Sequence, residues 1–270
     1  MSNRIIVATD FSPAAQNAVK YAAHLAQHLQ VPLEMLHAYI IPFAYTDSPV
    51  PLLNIDEIQK IAEDSMQAAS AEIEATCRGL SISQRILPGD LIDCLAEVIE
   101  NDPPMLVVLG KSGSGNSTFF WGSMAVNALR NLTIPVLAIP AEVNWTPIEK
   151  IAFAADYKQF SEDTPLEKIR HWVEKMKASL TVLHVDREND PTEIPAQLQQ
   201  GLAGLHPEYQ SMVAENIETI IGNFVTEHQI NWLMVIPKKY GFFENIFHKS
   251  RTKGLTQNSK IPVLALHQVE

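Results

Sequence analysis

Three short apolar segments occur twice in this chain, in the same order. The matched pairs are Ile5–Asp10 with Ile151–Asp156, Leu33–Ala38 with Leu180–Val185, and Ile134–Ile139 with Ile261–Leu266. With 270 residues in the chain, each copy is long enough to bury a core of its own. The repeat predicts two domains, residues 1–143 and 144–270, that meet in the proline-rich stretch between Pro140 and Pro147.

Within the first copy, short continuous apolar runs alternate with helical patterns, as expected for parallel strands that are covered on both faces. The predicted strands are Ile5–Thr9, Leu33–Ala38, Ser81–Leu87, Met105–Leu109 and Val136–Ile139. The predicted helices are Ala14–Leu29, Ile55–Cys77, Leu91–Glu100 and Met124–Asn131. Because strand–helix–strand crossovers are right-handed, this alternation predicts two doubly wound α/β domains, each with a five-stranded parallel sheet.

Local signals add detail to this fold. Ser12-Pro13 is typical of a helix start, and Thr164-Pro165-Leu166-Glu167 in the second copy has the spacing of a capping box. Residues 80–87 alternate between apolar and polar, which predicts a more exposed strand at the edge of the sheet.

Composition argues against several classes of function. The net charge of −11 argues against nucleic-acid binding, which needs basic surface to neutralise phosphates. Apolar runs stay well below the roughly 18 residues of a membrane span. Cys77 and Cys94 lack metal-ligand and redox spacing, which predicts reduced packing residues in a cytoplasmic protein. His24 and His28 continue a polar helical stripe, so a solvent-facing stripe is predicted there and no metal site.

A glycine-rich loop follows the fourth predicted strand and runs from Gly110 to Ser123. It holds four of the chain's eleven glycines. A glycine loop between a strand and a helix presents backbone N–H groups and a positive dipole end, which suit phosphate. By local composition alone, a flexible surface loop is an equally good interpretation. In a doubly wound sheet, however, ligands bind at the carboxyl ends of the strands, where Asp10, Ala38 and Gly110 are all predicted to lie.

The loop differs from better-known nucleotide motifs. A Walker loop needs glycine five positions before its Gly-Lys pair, where this chain has Met105, and Thr118 takes the place of the third glycine of a dinucleotide fingerprint. A phospho-receiver site needs a second acidic residue beside Asp10, where this chain has Phe11. With no Ser-His-Asp or Cys-His pattern and no obvious general base near the loop, no catalytic residue is predicted.

Taken together, these segments resemble the universal stress protein family in its tandem form, which has an adenine-nucleotide alpha-hydrolase-like fold. The family pattern Gly-x2-Gly-x9-Gly-Ser/Thr is similar to Gly110-x2-Gly113-x8-Gly122-Ser123, whose second spacer is one residue shorter. Asp10 fits the family's Asp at the end of the first strand. The Leu-His-Ala end of the second strand and the Ile-Pro-Val-Leu-Ala-Ile last strand also match.

The resemblance implies an ATP site in the first copy, with or without Mg²⁺. Asp10 would contact the ribose or base, and Ala38 would line the adenine slot. Gly110 and Gly113 would pass close to the ribose and phosphates. The backbone N–H groups of Gly122, Ser123 and Met124 would hold the phosphates, together with the Ser123 hydroxyl. In the second copy Pro237, Tyr240 and Lys249 replace the three glycines, so that copy is predicted not to bind ATP.

The function implied is that of an ATP-binding regulatory or stress-adaptation protein with little or no turnover. Two alternatives stay open: an interaction scaffold with a vestigial nucleotide site, and a slow ATPase or nucleotidyl-transfer enzyme of a related fold. The resemblance also implies an intrachain pseudo-dimer related by a pseudo-two-fold axis, in which Val136–Ile139 pairs antiparallel with Val263–Leu266. Further homodimerisation is left open.

Overall fold

The computed structural model describes residues 2–41, 43–44, 50–51, 54–111, 123–186, 192–237 and 261–268. The strands of its main sheet are β1 (Ser2–Ala8), β2 (Leu33–Tyr39), β3 (Ile82–Pro88), β4 (Pro104–Lys111), β5 (Val136–Pro140), β6 (Lys150–Ala154), β7 (Ser179–Asp186), β8 (Glu208–Val213), β9 (Trp232–Val235) and β10 (Val263–Ala265). The helices are α1 (Pro13–Leu29), α2 (Ile55–Thr76), α3 (Leu91–Asn101), α4 (Ser123–Asn131), α5 (Leu166–Met176), α6 (Ala196–Leu202) and α7 (Ile217–Glu227). A small ribbon pairs Phe43–Ala44 with Val50–Pro51, and two 3-10 turns span Tyr157–Gln159 and Ala203–Leu205.

Within the described residues, ten strands form one sheet in the order β8-β7-β6-β9-β10-β5-β4-β1-β2-β3. Neighbouring strands are parallel within each half, and β10 pairs antiparallel with β5 at the centre. Counted outward from that seam, both halves have the same strand order. The α/β class and the antiparallel pairing of the two last strands are therefore confirmed. The domain boundary at 143/144 stays a prediction; it falls between β5 and β6.

The core has two layers, one on each face of the sheet. Successive residues of β1 point to opposite faces, so that Ile5 belongs to one apolar cluster and Ile6 to the other. Helices α1, α2, α5 and α6 cover the first face, and α3, α4 and α7 cover the second. Each cluster contains residues from both halves. On the first face, Trp232 Nε1 of β9 donates a hydrogen bond of 2.8 Å to the buried Tyr21 hydroxyl of α1.

The element predictions for the first copy are confirmed, with boundaries that shift by a few residues. β3 lies at an edge of the sheet and is the most exposed strand of its half, as the alternating pattern indicated. Ser12 is the N-cap of α1, with Pro13 in the first turn. Cys77 and Cys94 are free and buried. Among the described helices, none combines the length and apolar character that crossing a bilayer requires.

One prediction is wrong, and another holds only in part. The capping box at Thr164 does not form, because Thr164 Oγ1 accepts a hydrogen bond of 3.3 Å from the N–H of Ser161 in a turn before the helix. Within the described chain, α5 begins without a side-chain cap. The stripe through His24 is not fully solvent-facing, since His24 is half-buried with Nδ1 3.6 Å from Cys77 Sγ.

Candidate nucleotide-binding site

A cavity of about 150 Å³ lies at the carboxyl ends of β1, β2 and β4. Its lining includes the small or polar residues Thr9, Asp10, Ser12, Ala38, Gly89, Asp90 and Gly110. Three helices begin beside the cavity. Its lining contains Ser12 just before α1, Leu91 at the start of α3 and Ala125 in the first turn of α4. Helix starts carry unpaired N–H groups and a positive dipole end, so this cavity suits a ligand with an anionic part.

Asp10 is exposed at the end of β1, in the turn that leads into α1. One carboxylate oxygen, Oδ1, accepts a hydrogen bond of 3.0 Å from the N–H of Ser12. Ser12 Oγ in turn accepts one of 3.3 Å from the N–H of Ala15. The other oxygen of Asp10 has no hydrogen-bond partner within the described part of the chain. The carboxylate is thus oriented by its own turn and has acceptor capacity left for a ligand hydroxyl.

Phe11 and His37 hold this turn in place. Phe11 has a φ of 62°, and its N–H donates to Thr9 Oγ1 at 3.1 Å. The Phe11 ring packs on His37 with 4.6 Å between centroids, and His37 Nδ1 lies 2.7 Å from the carbonyl oxygen of Thr9. In the second half, His184 Nδ1 lies 3.0 Å from the carbonyl oxygen of Ala155. The two histidines therefore have equivalent structural positions in the two halves.

Gly110 lies at the end of β4, where the start of α1 approaches most closely. A Cβ at this position would lie 2.6 Å from the carbonyl oxygen of Ala14 and 3.0 Å from Cα of Ala15. Close packing of α1 on β4 therefore requires glycine here whether or not a ligand binds. The sequence interpretation assigned Gly110 to the ligand and missed this contact between helix and strand.

The structure brings three of the predicted site residues together and places two more at the start of a neighbouring helix. Asp10, Ala38 and Gly110 line the cavity, and Ser123 and Met124 are the first residues of α4, just before the lining residue Ala125. Gly113 and Gly122 lie outside the described residues. Their predicted contacts with phosphate stay predictions.

Asp90 and Gly89 are lining residues that the sequence interpretation missed. Asp90 is the N-cap of α3, and its Oδ1 accepts a hydrogen bond of 2.8 Å from the N–H of Ile92. Gly89 has a φ of 132°, and its N–H donates to the carbonyl oxygen of Tyr39 at 2.9 Å. A Gly-Asp pair before an apolar helical run does signal a helix start. Its closeness to Asp10 depends on β3 lying beside β2, which no local pattern reveals.

The corresponding end of the second half is arranged differently. Tyr157 is buried and stacks on His184, with 4.2 Å between the ring centroids. Lys158 Nζ and Thr192 Oγ1 donate to Asp186, each at 2.9 Å, and the lysine contact is the main cause that lowers the pKa of Asp186 to about 2. A helix starts directly after Asp10, whereas the second half forms a 3-10 turn there and α5 begins only at Leu166.

The comparison with known protein families matches the half of the chain that contains the cavity. A family model described as the universal stress protein family matches residues 1–140, which include every described residue of the cavity. The chain belongs to the universal stress protein family. Two curated universal stress proteins from strains of Mycobacterium tuberculosis are 30% identical over an alignment 156 residues long, which covers 53% of this chain and 49% of theirs. The chain thus spans about half the length of the curated relatives it matches.

Solved structures show the same fold over the whole chain. A universal stress protein from Archaeoglobus fulgidus superposes with a TM-score of 0.71 at 18% identity and covers 99% of both chains. A protein of unknown function from Pseudomonas aeruginosa PAO1 has a TM-score of 0.58 at 14% identity, covering 99% of this chain and 93% of its own. The doubly wound universal stress protein fold is thus common to all three.

Proposed function

We propose that the first half of this chain binds one adenine nucleotide, ATP, with or without Mg²⁺. The protein would act as a cytoplasmic regulatory or stress-adaptation protein with little or no turnover. The observation that carries the proposal is the cavity itself. It places Asp10, Ala38 and Gly110 at three neighbouring strand ends, with the start of α4 beside them. Doubly wound sheets bind their ligands at this edge.

Charge supports one orientation of the nucleotide. The carboxylates of Asp10 and Asp90 both line the cavity and would repel phosphate, whereas the start of α4 would attract it. The phosphates would therefore lie toward Ser123 and Met124. Asp10 would accept a hydrogen bond from a ribose hydroxyl, and the small side chain of Ala38 would leave room for the flat base.

Low turnover fits the roles of the two carboxylates. Asp10 and Asp90 each accept a backbone N–H at the start of a helix. They would also lie at the opposite end of the ligand from the phosphates, in a poor position to activate water for hydrolysis.

Calorimetric titration of the full chain with ATP tests the proposal, and we expect a single site per chain. Asp10→Asn and Asp156→Asn form a matched pair, because asparagine keeps the Oδ1 acceptor that each turn uses. A charged hydrogen bond to a ribose hydroxyl is lost in Asp10→Asn, which should weaken ATP binding by roughly tenfold or more. Asp156→Asn should bind as the wild type does. Absence of binding would favour the scaffold alternative, and equal effects of the two variants would overturn the assignment to the first half.

A further inference from the structure

His267 follows β10 in the second half but makes its side-chain contacts with the first half. The residue is 8% exposed. Its Nε2 lies 2.8 Å from the carbonyl oxygen of Leu129, and its Nδ1 lies 2.9 Å from that of Ile134. Lys168 Nζ of α5 donates to the backbone carbonyl oxygen of His267 at 2.8 Å. The ring is thus anchored from its own half and directed into the other.

Leu129 belongs to the last turn of α4. The last four carbonyl groups of a helix lack partners within the helix, and a donor from outside can cap them. The other end of α4 borders the nucleotide cavity through Ala125. A helix of this length spans only about 13 Å, so a contact that holds its last turn also determines where its first turn lies.

Within the described residues, this contact exists on one side of the seam only. The pairing of β5 with β10 relates the two halves symmetrically, and Pro140 occupies the position in the first half that His267 occupies in the second. Proline has no side-chain donor. Pairing of the two strands therefore does not require a histidine at this position. The histidine that is present contacts the half that contains the cavity.

We propose that His267 is a positioning residue for the nucleotide site, supplied by the half that lacks the glycine loop. Donation from Nε2 to the carbonyl of Leu129 holds α4 so that its N–H groups meet the phosphates. The inference rests on the proposed ATP site. It assigns the second half a role in phosphate binding beyond closing the sheet.

The two ring nitrogens can be tested separately. A neutral imidazole has a single N–H and donates to one carbonyl only. In His267→Gln the side-chain amide reaches the place of Nε2 and keeps the donor to Leu129. In His267→Asn the amide lies near the place of Nδ1, so it can donate to Ile134 but not to Leu129. The two variants are otherwise closely matched in polarity.

The experiment measures the affinities of the full-length wild type and both variants for ATP and for adenosine, which lacks phosphates. We expect His267→Asn to lose roughly three- to tenfold in ATP affinity, the effect of one hydrogen bond, with unchanged adenosine affinity. His267→Gln should keep both affinities. Urea unfolding of the same samples reports whether each variant folds.

The outcomes separate this inference from the proposal on which it rests. If His267→Asn loses ATP affinity and adenosine affinity equally, His267 supports only the fold. The same conclusion follows if the ratio of ATP affinity to adenosine affinity is the same in both variants. Either result would overturn the inference while the ATP site stands. A wild type that binds neither compound would overturn both. If His267→Asn does not fold alone, saturating adenosine stabilises its folded state by binding, and displacement of adenosine by ATP then measures the same affinity ratio.

Discussion

The absence of a side chain at Gly110 leaves room on two sides of the residue. On one side it lines the cavity, and on the other it lets the backbone of α1 approach β4. A ligand role and a packing role both favour glycine, so the residue type alone cannot separate them. The distance of 2.6 Å between a hypothetical Cβ and the carbonyl oxygen of Ala14 shows that packing alone is sufficient.

Gly110→Ala should therefore destabilise the fold even without nucleotide. The added methyl group must push α1 away from β4, and overpacking of this kind costs about 1–3 kcal/mol of unfolding free energy. Urea denaturation of the ligand-free protein measures it. Gly204→Ala is the matched control, because a Cβ there would meet no described atom within 4 Å, and its stability should stay close to the wild type. Equal stabilities of the two variants would contradict the close approach.

His267 also predicts a pH dependence of stability. Burial lowers the pKa of its imidazole, and the nearby Lys168 ammonium lowers it further, despite the two carbonyl contacts. The unfolded chain takes up this proton near pH 6.5 while the folded chain does not, so the unfolding free energy should decrease as the pH falls below about 6.5. The decrease should level off below the pKa of the folded state.

Urea titrations between pH 7.5 and pH 5 measure this effect. His267→Gln removes the titrating group and should show a smaller decrease than the wild type. His28→Gln changes an exposed histidine and should keep the wild-type dependence. A wild-type stability that rises on acidification would reverse the sign and contradict the buried neutral ring.

At the level of elements, the helix starts show what local sequence determines and what it does not. Ser12-Pro13 follows the end of β1 directly, and the predicted cap forms. Thr164 has an equally suitable sequence, but its hydroxyl accepts from Ser161 in the preceding turn, and α5 starts after Pro165. Threonine can bond to nearby backbone in either structure, and tertiary context decides between them.

Ser12 gives a prediction that separates helix capping from ligand charge. Ser12→Ala removes the acceptor for the N–H of Ala15 and should cost about 1 kcal/mol of stability. Ser12→Asp restores an acceptor with a charge that the helix start favours, so stability should return. Because Ser12 lines the cavity beside Asp10, away from the proposed phosphate end, the same aspartate should change ATP and adenosine affinities by similar factors. Calorimetry with both compounds checks this; a selective loss of ATP affinity would place the phosphates beside Ser12 instead of at the start of α4.

The strands were predictable because buried parallel strands have a strong local pattern, and β3 because its alternation reflects a half-exposed edge. Asp10 and Ala38 were identified as cavity residues because strand ends gather at one edge of such a sheet. Asp90 was not, because its place depends on which strands are neighbours. The one-sided contact of His267 has no sequence signal at all, since it depends on the seam that brings β10 against β5.

At the level of the whole molecule, the two halves share a single sheet and a single pair of cores. The seam buries Val136 and Val263 completely, and the bond from Trp232 to Tyr21 joins the halves on one face. Residues of both halves contribute to each apolar cluster. Unfolding should therefore involve both halves together.

Val263→Lys tests the seam. A lysine at this position must bury its charge or separate β10 from β5, and the separated strands would expose two unpaired edges. We expect a lower unfolding midpoint and self-association in light scattering. Ile61→Lys, at a position 66% exposed on α2, is the matched control and should remain like the wild type. A monomeric Val263→Lys variant of unchanged stability would argue against the importance of the seam.

The seam pairs a strand of the first half with a strand that the ribosome synthesises much later. More than a hundred residues separate β5 from the strand that covers it. At ordinary ribosomal speeds, the first half would wait roughly 6 to 25 s with its outer strand unpaired. During that interval nascent chains on one messenger are each other's nearest source of a complementary strand, so neighbours could exchange β10. Slower translation between the halves would lengthen the wait and increase the yield of such exchanged dimers.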